Sequence, residues 1–292
     1  MTASGKSQLA FEVARHSGSV EIISVDSMAV YRGMDIATAK APLWQREAVP
    51  HHLIDILDPS EEMTVSWFQS EAKTALRAIE EHGHHALLVG GTGLYHRAVI
   101  DDLEIPGQFP EIRKVLEAQA IQDPKNLYSR LAALDPLAAS RMEASNSRRV
   151  VRALEVIEGS GRLFSSYGPG LEAYPDSKVI QIGISRPIEE VDAAIEARVG
   201  EWLDQGLIAE IDQLLSSSRG LSRTARQAIG YAQLFAWRRG ECSLEEAVAS
   251  TKTSTRKFAR RQRSWFSRDP RVQWFENTEA ASHYLMARLS EA

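Results

Sequence analysis

The sequence predicts an α/β fold: a parallel sheet with helices on both faces, interrupted by an all-helical insertion. Three observations predict it. Residues 1–7 read Met-Thr-Ala-Ser-Gly-Lys-Ser and run directly into helical periodicity through Leu9 and Ala14, the pattern of a loop that cradles phosphate. Two apolar runs, Val20 to Val25 and Ala86 to Val89, end on Asp26-Ser27 and on Gly90-Gly91-Thr92-Gly93, as parallel strands do where ligands gather at their carboxyl ends. Between Ile105 and Ser177 the strand signal disappears and helical patterns take over, bounded by Pro106-Gly107 and Tyr167-Gly168-Pro169-Gly170.

The opening loop matches G-x-x-x-x-G-K-[ST] without its first glycine, which makes the expected core P-loop NTPase-like. Gly5 lets the chain turn its N–H groups inward, Lys6 supplies a mobile cation, and Ser7 offers a hydroxyl to Mg²⁺ at the start of the helix. Such a loop normally follows a buried strand, and no strand signal stands ahead of it. The first strand of the core is therefore expected to be missing from this chain, through a start placed roughly 10 to 15 residues late or a truncation. In this form the protein is expected to be unstable or poorly active, and restoring the upstream codons to raise both stability and turnover. Val179 to Ile184 reads as a further strand, and Val191 to Leu215 as amphipathic helix broken near Gly206. The predicted organisation is a catalytic core of residues 1–104 and 178–292 around a helical insertion of residues 105–177.

At 292 residues and 43% apolar content the chain can bury a large core. Its one cysteine, Cys242, forms no internal disulfide and builds no thiolate metal site, which fits a reducing compartment; the cytoplasm is the expected location. No apolar run approaches 18 residues, so no membrane span is expected. His51 and His52 invite a metal reading, but adjacent strand residues face opposite ways, and structural roles are expected for both.

The net charge of −5 does not suggest a nucleic-acid partner, but its distribution does. From Lys252 to Arg271 eight basic residues face a single acid, Asp269. Lys252, Arg256, Arg260 and Arg263 recur at helical spacing, and the scarcity of interleaved acids points to a phosphate backbone rather than a solvated face. Arg148, Arg149 and Arg152 form a second basic group at the start of an apolar helical pattern.

An ordered set of motifs then resembles one family, the bacterial tRNA dimethylallyltransferases. It comprises Thr2 to Ser7, the run Asp26-Ser27-Met28-Ala29-Val30-Tyr31 through Lys40, Pro50 to Asp55, and Val89-Gly90-Gly91-Thr92-Gly93-Leu94-Tyr95. It continues with Arg148 to Glu155, Gln227-Ala228-Ile229-Gly230-Tyr231, and Arg260-Arg261-Gln262 through Trp265-Phe266. The resemblance implies transfer of a dimethylallyl group from dimethylallyl diphosphate to the 6-amino group of the adenine at nucleotide 37, beside the tRNA anticodon. It implies that Thr2, Ala3, Ser4, Gly5, Lys6 and Ser7, with Gln227, hold the diphosphate, that Ser7 holds Mg²⁺, and that Asp26 and Thr92 stand at the reaction centre. Asp26 is the expected general base; a Mg²⁺-ordering aspartate and a helix cap are the other readings of the same residue. The resemblance also places Asp26, Ser27, Met28, Ala29, Thr92, Arg113, Arg148, Arg149, Val150, Val151 and Arg152 against the anticodon stem-loop. The basic stripe, represented by Arg256 and Arg260, is expected to follow the stem. A monomer is expected.

One position departs from the pattern: Ala29 stands where many relatives carry glutamine, removing an amide that could bond the target base. Three other functions share parts of this signature. They are prenylation of a free adenine nucleotide, small-molecule phosphorylation from ATP, and RNA binding without catalysis. The insertion and basic stripe disfavour the first, because a free nucleotide gives them nothing to hold.

Overall fold

The computed structural model describes residues 3–291. The chain divides into two compact units, Met1–Ile100 with Ser177–Ala292, and Asp101–Asp176. Thr2, assigned above to the phosphate loop, lies outside the described residues.

In the first unit, helix α1 (Lys6–Ser17) leads into strand β1 (Val20–Val25). A short helix α2 (Leu43–Ala48) precedes the two-residue strand β2 (His51–His52). Helix α3 (Val65–Glu81) begins at Thr64, whose side chain accepts from the Trp67 amide, and buries Phe68, Ala72, Ala75 and Ile79 at helical spacing. Strand β3 (His85–Gly90) and helix α4 (Gly93–Ile100) follow. The three strands form a parallel sheet in the order β2-β1-β3, and β1 runs in register with β3 from Val20↔His85 to Val25↔Gly90. Only the central strand β1 is almost wholly buried, its four aliphatic residues and Glu21 all enclosed as in a strand covered on both faces.

The second unit is helical: α5 (Pro110–Gln122), α6 (Pro124–Leu134), α7 (Pro136–Ser140), α8 (Ser147–Ser160) and a 3₁₀ turn at Phe164–Ser166. Pro110, Pro124 and Pro136 each open a helix at the one place where a missing N–H costs nothing, and Asp123 and Asp135 cap the two helices behind them. The core of this unit joins Leu116, Leu127, Leu131, Val150, Val151 and Leu154. Within it Glu155 is fully buried and fully engaged. Its Oε1 accepts from the Phe109 amide at 2.8 Å, its Oε2 accepts from Arg113 at 2.6 Å and 2.8 Å, and Arg152 lies 3.0 Å from Oε1.

The chain returns through β4 (Gln181–Ile184), α9 (Ile188–Asp204), α10 (Leu207–Ser216), the single turn α11 (Arg223–Arg226) and α12 (Tyr231–Arg238). The break expected near Gly206 separates α9 from α10. The long helix α13 (Leu244–Phe266) starts with a reciprocal cap, the Glu246 amide donating to Ser243 Oγ and the Ser243 amide to Glu246 Oε2. Strand β5 (Val272–Phe275) pairs in parallel with β4, and α14 (Thr278–Glu291) closes the unit. β2 and β5 have no clear signal in the sequence, the first because two residues carry no period.

The second edge of β3 pairs with no strand among the described residues. A cavity of about 180 Å³ lies between β3 and the β4–β5 pair, bordered by Leu87, Val89, Ile182, Trp274 and, on the loop side, Ser4 and Lys6. The strand expected ahead of the loop has no counterpart among the described residues. None of the described helices is long and apolar enough to cross a membrane.

Glu155 dictates one test. Removing it leaves two largely enclosed guanidinium groups and a buried amide unpaired, so Glu155→Ala is expected to lower the unfolding free energy by about 3 to 5 kcal/mol, measured by urea denaturation. The buried interactions hold its pKa below the ordinary glutamate value, chiefly through the Phe109 amide and the two arginines acting against the cost of burial. The stabilisation is therefore complete above the unfolded-state pKa and fades as pH falls through the depressed folded value.

Candidate active site

The site forms where β1 and β3 end. Because Val25 pairs with Gly90, Asp26 and the Gly91-Thr92-Gly93 turn leave neighbouring strands side by side, about 5 Å apart across the ladder. The Asp26 carboxylate is half-buried, and its Oδ1 accepts from the Met28 amide at 2.9 Å, which fixes its orientation. Thr92 opens α4, its carbonyl accepting from the amides of Tyr95 and His96.

The glycines of this turn answer to packing rather than flexibility. A Cβ on Gly91 would stand 1.9 Å from the Gln262 amide, and one on Gly93 would stand 2.2 Å from the Trp265 ring. Helix α13 therefore rests directly on the turn that carries Thr92. This contact explains why Gly90 to Gly93 and Arg260 to Phe266 occur in one sequence signature.

The phosphate loop curls beside them. Ala3 and Gly5 both take left-handed backbone angles, φ +56° and +84°, which turn the chain into α1. Ala3 and Ser4 are buried, Lys6 half-buried, and Gly5 and Ser7 exposed. The Ala3 carbonyl accepts from Arg186 at 3.2 Å, which tethers the loop to the residue just ahead of α9. Burial lowers the Lys6 pKa; the Asp26 carboxylate opposes the shift and the Arg198 guanidinium adds to it. Lys6, Asp26 and Arg198 therefore share one electrostatic environment.

Arg198 is a site residue that the motifs do not reveal. It projects from α9 into a second cavity, of about 280 Å³, lined also by Asp26, Thr38, Gln227, Phe258 and Arg261. Burial lowers its pKa. The only available signal was its place in a helix otherwise apolar on its inner face, where Val191, Ile195, Val199 and Trp202 are buried. Tyr95 is a second addition: it stacks on Phe68 at 4.9 Å, and its pKa is pushed up to about 12 by burial first and then by Tyr31 and Asp26. One turn beyond Thr92, burial holds His96 neutral, with a pKa of about 4.

Other expected site residues sit as follows. Ser27 and Met28 are half-buried and line the Asp26 cavity, whereas Ala29 is 3% exposed and turned into the core. Lys40, at the end of the same signature, is buried among Asp35, Asp55 and the Tyr31 carbonyl, so its charge fixes a loop and is not offered to a ligand. Arg148 and Arg149 stand exposed in the first turn of α8. Val150 and Val151 are 1% and 4% exposed, so their side chains are core and not an RNA surface. Arg113 is held by Glu155, and Arg152 donates to the carbonyls of Pro106 and Gly107 as well.

The basic stripe needs a larger correction. Its acids exist, but on another helix: Glu196 of α9 pairs with Lys252 and with Arg256 at 2.6 Å, and Asp192 pairs with Arg260 at 2.7 Å. Counting charges along one segment misses partners that packing brings from 56 to 68 residues away. The exposed cations of α13 without an ion pair among the described residues are Lys257, Arg261 and Arg263. His51 and His52 do face apart, His51 bonding the Val49 carbonyl and His52 the Glu21 carboxylate.

The arrangement suits transfer chemistry on an anionic substrate, with cations on one side and a fixed carboxylate on the other. Comparison with known proteins points the same way. A model of the family described as IPP transferase matches residues 29–269. The tRNA dimethylallyltransferase of Streptomyces avermitilis is 44% identical over 280 residues, 96% of this chain and 89% of that protein. That of Kineococcus radiotolerans is 43% identical over 98% of this chain and 92% of its own length. Among solved structures, the full-length tRNA isopentenylpyrophosphate transferase of Bacillus halodurans superposes with a TM-score of 0.70 at 35% identity, covering 99% of this chain and 94% of that one. A eukaryotic dimethylallyltransferase, described as acting on tRNA, gives a TM-score of 0.76 at 28% identity over 94% of this chain and 72% of that one.

Two substitutions test this geometry. Gly93→Ala drives a methyl group into Trp265 and is expected to cost about 1 to 3 kcal/mol in urea unfolding, the usual penalty of an overpacked contact. Arg198→Ala is expected to weaken binding of inorganic pyrophosphate about 10-fold or more by calorimetry, the loss of one hydrogen-bonded charge, with little change in melting temperature.

Proposed function

The chain belongs to the IPP transferase family, and we propose how its own residues carry out that family's reaction. It is a prenyltransferase that modifies tRNA, moving a dimethylallyl group from dimethylallyl diphosphate to the 6-amino group of an adenine beside the anticodon and releasing diphosphate. The observation that carries the reading is that Asp26 and Arg198 line one cavity at the end of β1, with Lys6 electrostatically coupled to both.

The loop amides from Ala3 to Ser7, the start of α1, Lys6 and Arg198 bind the diphosphate end of the donor. Thr92 offers its hydroxyl to a diphosphate oxygen or to the incoming nucleotide, and Gln227, neutral at the cavity rim, positions rather than neutralises. The exposed Ser7 hydroxyl is a hard oxygen donor of the kind Mg²⁺ takes, and Ser7 is the residue that would hold it. When bound, Mg²⁺ supplies charge neutralisation at the departing diphosphate.

The amine of adenine is a weak nucleophile because its lone pair is delocalised into the ring. As that pair forms the new C–N bond, the allylic C–O bond breaks and its electrons leave with the diphosphate. The N–H proton passes to the free oxygen of Asp26, the other being held by the Met28 amide. The cations are aimed where charge develops, so they bind the leaving diphosphate more strongly than the esterified one.

The target base must leave its stack to reach the pocket, which costs least in an unpaired loop. On the helical unit Arg148 and Arg149 offer the phosphate contacts, and Val150 and Val151 hold their helix in place. On α13 that role falls to Lys257, Arg261 and Arg263 in place of the already paired Arg256 and Arg260. The protein acts as a monomer in the cytoplasm, which its single cysteine fits.

Replacing Asp26 with Ala is expected to reduce turnover about 10² to 10⁴-fold while leaving the affinity for dimethylallyl diphosphate nearly unchanged. Mass spectrometry of the RNA product for dimethylallyladenosine, alongside a binding isotherm, measures both; equal loss of the two would assign Asp26 to the metal instead. Anticodon stem-loop binding is expected to weaken steeply with salt, and Arg148→Ala with Arg149→Ala to flatten the log–log slope by about 1.5.

A further inference from the structure

At the opposite end of the sheet three imidazoles converge on one buried carboxylate. Glu21, second residue of β1, is 1% exposed. Its Oε1 accepts from His82 Nδ1 at 2.7 Å and from His84 Nδ1 at 2.9 Å, and its Oε2 accepts from His52 Nε2 at 2.6 Å. His82 and His84 flank Gly83 in the tight turn from α3 to β3, and His52 ends β2, so the cluster ties together all three strands of the sheet. Asp26 lies five residues further along β1, about 16 Å away at the strand's rise, so the cluster takes no part in prenyl transfer.

We propose that Glu21, His82 and His84 form a binding site for a divalent transition-metal cation of the zinc class. His82 Nδ1, His84 Nδ1 and Glu21 Oε1 all lie within 4.8 Å of one another. In a tetrahedral zinc site, with metal–ligand distances near 2.0 to 2.2 Å, neighbouring ligand atoms stand about 3.3 Å apart. Opening the two hydrogen bonds by about half an ångström therefore makes room for the ion. In doing so each histidine carries its proton on Nε2 in place of Nδ1.

The burial pattern suits this use. The Glu21 side chain is 2% exposed and anchored, whereas the His82 and His84 side chains are 57% and 34% exposed and leave an entry path and a fourth position for water. His52 stays on the second carboxylate oxygen and orients it, as outer hydrogen bonds orient metal ligands elsewhere. Two imidazole nitrogens beside one carboxylate oxygen also select against Mg²⁺, which prefers oxygen donors, so this site and Ser7 take different ions. The bound ion would cross-link the amino-terminal ends of β1 and β3.

The test uses tag-free full-length protein stripped with a chelator and titrated with Co²⁺. One equivalent is expected to bind with the intense visible absorption of four-coordinate cobalt, to be displaced by Zn²⁺ and not by Mg²⁺. Zn²⁺ at 100 times its Kd is expected to raise Tm by about 5 °C. His84→Ala, on the exposed side of the cluster, is expected to fold and to lose both signals, as is His82→Ala; Glu21→Gln provides a third check. His85→Ala, on the same turn but outside the cluster, keeps both. Absence of a one-equivalent cobalt signal in the unaltered protein, or an undiminished signal in His84→Ala, would overturn the proposal and leave the cluster as a hydrogen-bonded staple.

Discussion

Two opposite charges, on Lys6 and Asp26, have to influence one another without pairing. Asp26 and Lys6 sense one another, yet no salt bridge joins them among the described residues, and the carboxylate accepts from the Met28 amide. A direct pair would use up both the base and the anion contact. The register of β1 with β3 places Asp26 beside the Thr92 turn, while the left-handed angles at Ala3 and Gly5 turn the chain into the helix that carries Lys6. Arg198 completes the balance. Its positive charge compounds that on Lys6, which favours an anion beside the two.

The same distinction separates the remaining cations. Lys40, Arg113, Arg152, Arg256 and Arg260 are matched to carboxylates and hold loops and helices in place. Arg148, Arg149, Lys257, Arg261 and Arg263 are exposed, and an incoming phosphate backbone meets them without first breaking an ion pair. The pairs of Lys40, Arg113 and Arg152 are largely buried and resist exchange because separating them strands a charge, whereas those of Arg256 and Arg260 are exposed and hold more weakly.

Much of this was legible in the sequence. Parallel strands at Val20 to Val25 and Ala86 to Val89 follow from apolar runs ending in small or acidic residues, and the helical character of the middle of the chain from its loss of strand signal. The family was legible in the order of its motifs. What stayed hidden depends on contacts across the fold. Arg198 is one cation in an amphipathic helix until α9 packs beside the loop. The acids that pair with Arg256 and Arg260 lie on another helix. Val150 and Val151, adjacent to exposed arginines, point the other way round α8 into the core. The Glu21 cluster was equally out of reach, because the His82-Gly83-His84 spacing acquires a third ligand only once β1 lies beside β3.

The central claim is that this pocket breaks a carbon–oxygen bond and keeps the diphosphate, rather than moving a phosphoryl group. Its most direct measurement counts products when the full-length protein is given dimethylallyl diphosphate and an anticodon stem-loop together. One inorganic pyrophosphate is expected for each dimethylallyladenosine formed, with ATP unable to replace the donor. Phosphate transfer from ATP, or stem-loop binding with no pyrophosphate released, would contradict it.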